Sequence, residues 1–449
     1  MTAAGADRLS RAAAMALGAL AGLLVACDDG SPTGPGEDGL DFGRYVAIGN
    51  SLTAGVMNGA LGIEGQSCSY PRLLAEQAGV GGGFQQPLVA APGISRPGSG
   101  EGRIELVSFA PITIGRAVPA GAPLNEGLDR PYGNLGVPGA LAIEALEARN
   151  RATSRTDNPF FDFVLRGRGT WAEQAADRDA TFVTVWLGNN DVLGYVTSGG
   201  EAAGLPTPAA EFAAAYEGLI ERLLETTGRI VLLNVPPVTV VPYLSAVPTV
   251  VVDPLTLEPI PGPDGLPVPL LGPDGPLSPH DQVTFDAIES ILDGVGIPPD
   301  LGDLGGTGEP LPGDVVLDAG EQAIARAAIA AYNQAIAETA ARHGLAVVDV
   351  HALVSAIAED GLDVDGERLT IDFLVGGLFS LDGIHPTCKG YGVVANALID
   401  AIDARYGVAL PRVSIAGLPD LTLTASGALA PAGVPRGLPR FRRGGDRWF

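Results

Sequence analysis

Short apolar runs, each closed by a small or polar residue and followed by a helical pattern, recur along most of this chain. Thr181–Leu187 (T-F-V-T-V-W-L) is the strongest of them, β-branched and aromatic throughout, and it ends at Gly188. A run that is apolar at nearly every position, rather than every second one, suits a strand buried on both faces. Arg44–Ile48, Ile230–Val235 and Leu345–Val350 read the same way. Helical periodicity marks Tyr70–Gly79, Ala140–Arg149, the stretch opened by Thr207-Pro208 and carrying Phe212, Tyr216, Leu219 and Leu223, then Glu321–His343 and Gly390 onward. Asp318 and Glu321 have capping-box spacing, and Thr207-Pro208 stand in cap and first-turn order. This alternation predicts an α/β fold, a mostly parallel sheet with helices on both faces.

Two regions break the alternation. Residues 80–132 are rich in Gly and Pro and predict long loops with short strands. Residues 236–317 repeat P-D-G and P-D-P turns between short apolar runs, too long for an ordinary connection. They read as an insertion, an excursion at one edge of the sheet rather than a second domain. The tail from 411 to 449 mixes short apolar runs with Gly, Pro and Arg and reads as a partly ordered extension of a domain spanning 42–410.

The N-terminus has its own logic. Arg8 and Arg11 precede an apolar stretch, Ala12–Ala26, shorter than the roughly 20 residues that span a bilayer. Together they read as a signal peptide over 1–26 rather than a membrane helix. Leu24-Val25-Ala26-Cys27 resembles the lipobox of bacterial lipoproteins, and D-D-G-S-P-T-G-P-G-E-D-G behind it reads as a flexible tether over 27–41. The resemblance implies cleavage before Cys27, its lipidation, and anchoring to the bacterial cell envelope on the periplasmic face or the outer membrane. In such a compartment Cys68 and Cys388 are free to form a disulfide, the alternative being two separate buried thiols. No Cys or His ligand spacing supports a metal site. With 52 acidic residues against 27 basic ones the chain repels phosphate backbones, which argues against a nucleic-acid partner.

Four separated stretches carry chemistry: Gly49-Asn50-Ser51-Leu52, Asn134-Leu135-Gly136-Val137-Pro138-Gly139, Gly188-Asn189-Asn190-Asp191, and Asp382-Gly383-Ile384-His385-Pro386. Each has an ordinary explanation taken alone: Ser51 as a helix cap, the glycines as turn formers, Asp191 as a cap, His385 as a loop histidine. Their positions say more. Ser51 and Asn190 each follow a predicted strand, where a parallel sheet presents its ligand crevice. A neutral serine needs an adjacent base, and histidine with a carboxylate partner is the suitable one near neutral pH. Asp382 lies three residues before His385, within reach across a turn.

These stretches resemble the blocks of the GDSL or SGNH hydrolases, in the family's order. The resemblance implies a flavodoxin-like three-layer αβα sandwich and a serine carboxylic-ester hydrolase, esterase- or lipase-like. It makes Ser51 the nucleophile, His385 the base and Asp382 its orienting acid. The backbone N–H groups of Ser51 and Gly139 and the side chain of Asn190 become the oxyanion donors, and no metal or organic cofactor is implied. Asn50 stands where the family has aspartate, keeping a carbonyl acceptor but losing the charge. Within the same fold a carbohydrate O-acetyl esterase stays open. An inactive, lipid-anchored binding lipoprotein is the reading from another class, with Asn50 the feature in its favour. Trp171 and Trp186 are candidate aromatic contributors to a site, although Trp186 falls in a buried strand pattern.

Overall fold

The computed structural model describes residues 39–420 apart from 110–111 and 302–304, with short strands at Thr424–Ala425, Ala428–Leu429 and Arg440–Phe441 beyond them. The expected signal peptide, the lipidated Cys27 and most of the tether lie outside the described residues. So does most of the C-terminal extension past Asp420.

All four apolar runs are strands, each trimmed by a residue or two. With one more they are β1 (Tyr45–Gly49), β2 (Asn134–Gly136), β3 (Phe182–Trp186), β4 (Ile230–Leu233) and β5 (Ala346–Val348). They pair in parallel in the order β5-β4-β3-β1-β2. This is the flavodoxin-like order. It reverses direction between β1 and β3, so the crevice beyond the carboxyl ends of those two strands is where such a sheet binds ligands.

Period-two alternation sends successive side chains to opposite faces. Val46, Ile48, Val183, Val185, Ile230 and Leu232 enter one core; Tyr45, Ala47, Phe182, Trp186, Val231 and Leu233 enter the other. The helices flanking the sheet are α1 (Ser51–Ala54), α2 (Tyr70–Gln77), α3 (Trp171–Asp177), α4 (Asn190–Thr197), α5 (Ala209–Leu224), α6 (Ala319–His343), α7 (Val350–Asp360) and α8 (Cys388–Tyr406). Trp171, Phe212, Tyr216, Ile329 and Tyr332, from α3, α5 and α6, pack on the first face. Leu73, Leu74, Leu398 and Ile399, from α2 and α8, pack on the second. The fold is therefore a three-layer αβα sandwich. No helix among the described residues is long and apolar enough to cross a membrane.

Two sequence expectations change. Ala140–Arg149 is a loop with one tight turn, Ala142–Glu144, in which Leu141 N–H donates to Glu144 and Ala142 N–H to Asp191. Thr207 does not cap α5. Its hydroxyl donates to Asp191 Oδ1 at 2.8 Å, and the helix begins after Pro208. The capping box at Asp318 and Glu321 does form, each backbone N–H donating to the other's carboxylate at 2.7 Å.

Residues 236–317 contain short elements only, among them Pro242–Ser245, a Leu271–Gly272/Gly275–Pro276 hairpin and Ile288–Leu292. Tyr243, Phe285, Ile288 and Leu311 from this segment join the same core as the sheet's first face. The segment also reaches the functional end of the molecule, where Tyr243 N–H donates to Gly383 O at 3.0 Å.

Candidate active site

β1 delivers Ser51 to the sheet's switch point. Asn50 caps α1, its Oδ1 accepting from Leu52 N–H at 3.1 Å, so Ser51 is the first helical residue and its hydroxyl is not spent on the cap. Ser51 is buried, with 7% of its surface exposed. Asn50 is fully buried, and among the described residues its Nδ2 has no hydrogen-bond partner.

The histidine block arrives from the far end of the sequence. Asp382 Oδ2 lies 3.0 Å from His385 Nδ1, and Asp382 Oδ1 accepts from the backbone N–H groups of Ile384 and His385 at 2.8 and 2.7 Å. Burial pushes the Asp382 carboxyl up, but His385 and the backbone donors outweigh it and hold the group below the usual carboxylate range. Asp382 is thus an ionised, buried acid that fixes the orientation of an imidazole.

A hairpin just after Ser51 grips this acid. Asn58 and Gly59, both at positive φ, turn Val56–Met57 into Ala60–Leu61. Gly59 N–H donates to Asp382 Oδ2 at 2.5 Å, Asn58 N–H to Ser380 Oγ, and Leu381 N–H to Asn58 Oδ1. The M-N-G-A stretch is a strong two-residue hairpin signal that the block-by-block reading passed over.

Gly139, at φ +78°, sits in the loop after β2, and Asn190 opens α4 after β3. Asn190 Nδ2 donates to Ala140 O at 3.0 Å, which spends one of its two amide hydrogens. Asp191, the next residue, accepts from Ala142 N–H at 2.8 Å and so pins the far side of the same loop. Burial raises the Asp191 carboxyl to about 6. Among the described residues no acceptor takes the backbone N–H of Ser51 or of Gly139. Asn158, which carried no motif, donates to Pro138 O at 2.7 Å and stands beside Gly139. Asn134, in β2, joins the blocks by donating to Thr53 O and Gln86 Oε1.

Ser51, Asn190 and His385 line two adjoining chambers. One is a polar trough of about 550 Å³ that also reaches Gly139, Asn158, Thr156, Arg96 and Arg116. The other is a narrow apolar slot of about 70 Å³ walled by Val238, Val241, Leu353, Ile357, Phe379 and their neighbours. The four blocks, hundreds of residues apart, therefore meet at one cleft.

Other candidates fall away from it. Trp171 is fully buried and donates its indole N–H to Leu135 O, so it belongs to the core. Trp186 is also core, donating to Asn234 O, although its ring lines part of the slot. Lys389, close to His385 in sequence, is buried and ion-paired with Glu367 and Asp420. Cys68 and Cys388 are joined in a disulfide that ties the segment after the serine block to the start of α8. Among the described residues, Glu217, Glu221 and His343 have metal-ligand spacing, but Glu217 is paired with Arg342 and all three lie outside both chambers.

The family model of the GDSL-like lipases and acylhydrolases matches residues 45–398. No curated protein matches in sequence. Among solved structures, the chain is similar to the lipase/acylhydrolase from Enterococcus faecalis, with 11% identity and a TM-score of 0.32 over 80% of this chain and 95% of that one. It is also similar to LAE5, an alpha/beta hydrolase enzyme from the metagenome of Lake Arreo, Spain, with 16% identity and a TM-score of 0.34 over 81% and 94%. Both likenesses are remote. The family match spans most of the chain and every block of the cleft, and the chain belongs to the GDSL-like lipases and acylhydrolases, hydrolases that act on esters.

Proposed function

We propose that this chain is a serine carboxylic-ester hydrolase working through an acyl-serine intermediate. The observation that carries the reading is the cleft itself. Ser51, Gly139, Asn190 and His385 all line one trough, Asp382 holds His385 from behind, and among the described residues no acceptor takes the backbone N–H of Ser51 or Gly139.

In this mechanism His385 takes the Ser51 hydroxyl proton as Oγ attacks the ester carbonyl carbon. Charge builds on the carbonyl oxygen, and the Ser51 and Gly139 N–H groups with the second amide hydrogen of Asn190 stabilise it. His385 passes its proton to the departing alcohol. Water then enters, gives a proton to His385 and attacks the acyl carbon, and the carboxylic acid leaves as Ser51 recovers its hydrogen. Asp382 stays ionised beside the imidazole throughout, which its depressed pKa favours.

The cellular setting belongs to the same proposal: export, with a lipid anchor at Cys27 in the cell envelope, supported by the N-terminal sequence alone. Within the same chemistry, a carbohydrate O-acetyl ester is a second substrate reading, supported by the polar side chains of the trough, and acyl-chain preference separates it from a longer acyl ester. A panel of p-nitrophenyl esters with the soluble form beginning after Cys27 tests the function. Turnover in the wild type that disappears in Ser51→Ala supports it, whereas equal turnover in that variant sinks it.

A further inference from the structure

We infer that the two chambers divide the ester between them: the apolar slot holds an acyl chain longer than acetyl, and the polar trough holds a hydroxyl-bearing alcohol. This rests on the serine-hydrolase reading and adds to it the direction in which substrate lies and the class of ester it favours.

Both chambers open on Ser51, Asn190 and His385, so contact with these groups does not settle which side is which. Solvation does. Away from the shared groups the slot is walled almost wholly by aliphatic side chains, with Asn189 its one further polar residue. A hydroxylated alcohol placed there would lose its hydrogen bonds to water and find few replacements, whereas a hydrocarbon chain loses nothing. The trough offers Ser95, Arg96, Ser99, Thr156 and Asn158 instead. Arg96 is exposed on this wall, a cation beside the cleft of a chain whose net charge is -25.

The second half-reaction points the same way. Water must attack the acyl-serine from the side the alcohol has vacated, because His385 serves both steps from one position. The vacated chamber must therefore be one that water fills. The trough is wide and carries polar groups among its apolar ones; the slot is narrow and almost wholly apolar.

Slot length sets the acyl class. Val350, Leu353, Val354 and Ile357 present one face of α7 along it. At about 1.5 Å per residue that face runs for roughly 10 Å, further than an acetyl group reaches. Leu193, three residues after Asn190 on α4 and so on the same helix face, lines both chambers and forms the partition.

The test varies one side of the ester at a time. On p-nitrophenyl esters the wild type should favour butyryl over acetyl about tenfold in kcat/KM, from two more buried methylenes. Leu353→Trp, at a half-buried position, should bring that ratio close to one by lowering butyryl turnover more than acetyl turnover, with circular dichroism checking that the variant folds. Leu353→Ala should move the preference toward octanoyl. On alcohols of equal carbon count, glyceryl 1-butyrate should exceed n-propyl butyrate, and Arg96→Ala should shrink that advantage while Leu353→Trp leaves it unchanged. The inference is overturned if acetyl is the preferred acyl group, if both Leu353 variants keep the wild-type chain-length ratio, or if Leu353→Trp rather than Arg96→Ala alters alcohol preference. Absence of turnover on every ester, or turnover surviving Ser51→Ala, is a different failure: it removes the serine-hydrolase reading and this inference with it.

Discussion

The backbone N–H of Gly59 donates to the Asp382 carboxylate at 2.5 Å, although 323 residues separate the two in sequence. The hairpin that follows the nucleophile block thus holds the acid of the histidine block. Both carboxylate oxygens of Asp382 accept backbone N–H groups, Oδ2 from Gly59 and Oδ1 from Ile384 and His385, so the NH2 of Asp382→Asn must oppose a backbone donor whichever way the amide turns. The expected outcome is a fall in kcat of about 10⁴-fold with a folded protein, as for removal of the charge in a Ser-His-Asp triad. Steady-state kinetics with circular dichroism checks it.

The same carboxyl has a stability signature. Its pKa is depressed in the fold, so its contribution is fully present above the ordinary carboxylate range and is lost as pH falls through and below about 4. The gap in Tm between the wild type and Asp382→Asn should therefore narrow from pH 6 to pH 3. Thermal unfolding across that window measures it.

Asp191 has the opposite sign. Burial raises it to about 6, so ionisation is disfavoured inside the fold and its stabilising contribution fades as pH rises from about 4 through about 6. Asp191→Asn keeps an oxygen for Ala142 N–H and removes the titration. Stability of the wild type relative to this variant should fall as pH rises across that range and level off above it, by about 3 kcal/mol in total. A flat difference in Tm from pH 4 to pH 8 would count against the assignment.

Two substitutions separate the oxyanion donors from general scaffolding. Asn190→Ala should lower kcat by about 10²–10³-fold with a small change in KM, because the lost donor acts on charge that develops only in the transition state. Gly139→Ala meets a second obstacle: at φ +78° an added Cβ sits 3.2 Å from Asn158 Nδ2. It should cost about 1–3 kcal/mol of stability as well as activity. Kinetics and denaturant melts on the same preparations distinguish the two effects.

The Cys68–Cys388 disulfide closes a loop across a separation of 320 residues. Its reduction should lower stability by about 3–5 kcal/mol. Dithiothreitol should therefore lower the Tm of the wild type and leave that of the Cys68→Ser/Cys388→Ser double variant unchanged.

Much of this was legible in the sequence because the signals are local. Apolar runs such as Phe182–Trp186 are strands, and the four blocks are short enough to be read where they stand. What escaped depends on contacts distant in the chain. Asn134–Gly136 is too short and too polar to announce a strand, yet parallel pairing with β1 makes it one. Ala140–Arg149 has a helical pattern, but its start is held in a loop by Asp191, 49 residues on, which accepts from Ala142 N–H. Asn58-Gly59 signals a hairpin locally, and nothing nearby reveals that the hairpin grips Asp382. Arg116 is similar: its side chain donates to Gly59 O and lines the trough, from a strand, Ile112–Arg116, with no motif to mark it.

The most direct test of the central claim is covalent. The soluble form beginning after Cys27 is treated with a serine-reactive organophosphonate, with Ser51→Ala as control, and the modified peptide is located by mass spectrometry. A single label on Ser51 that is absent from the variant is the expected result. A folded wild-type protein that takes no label, or one labelled equally in Ser51→Ala, would contradict it.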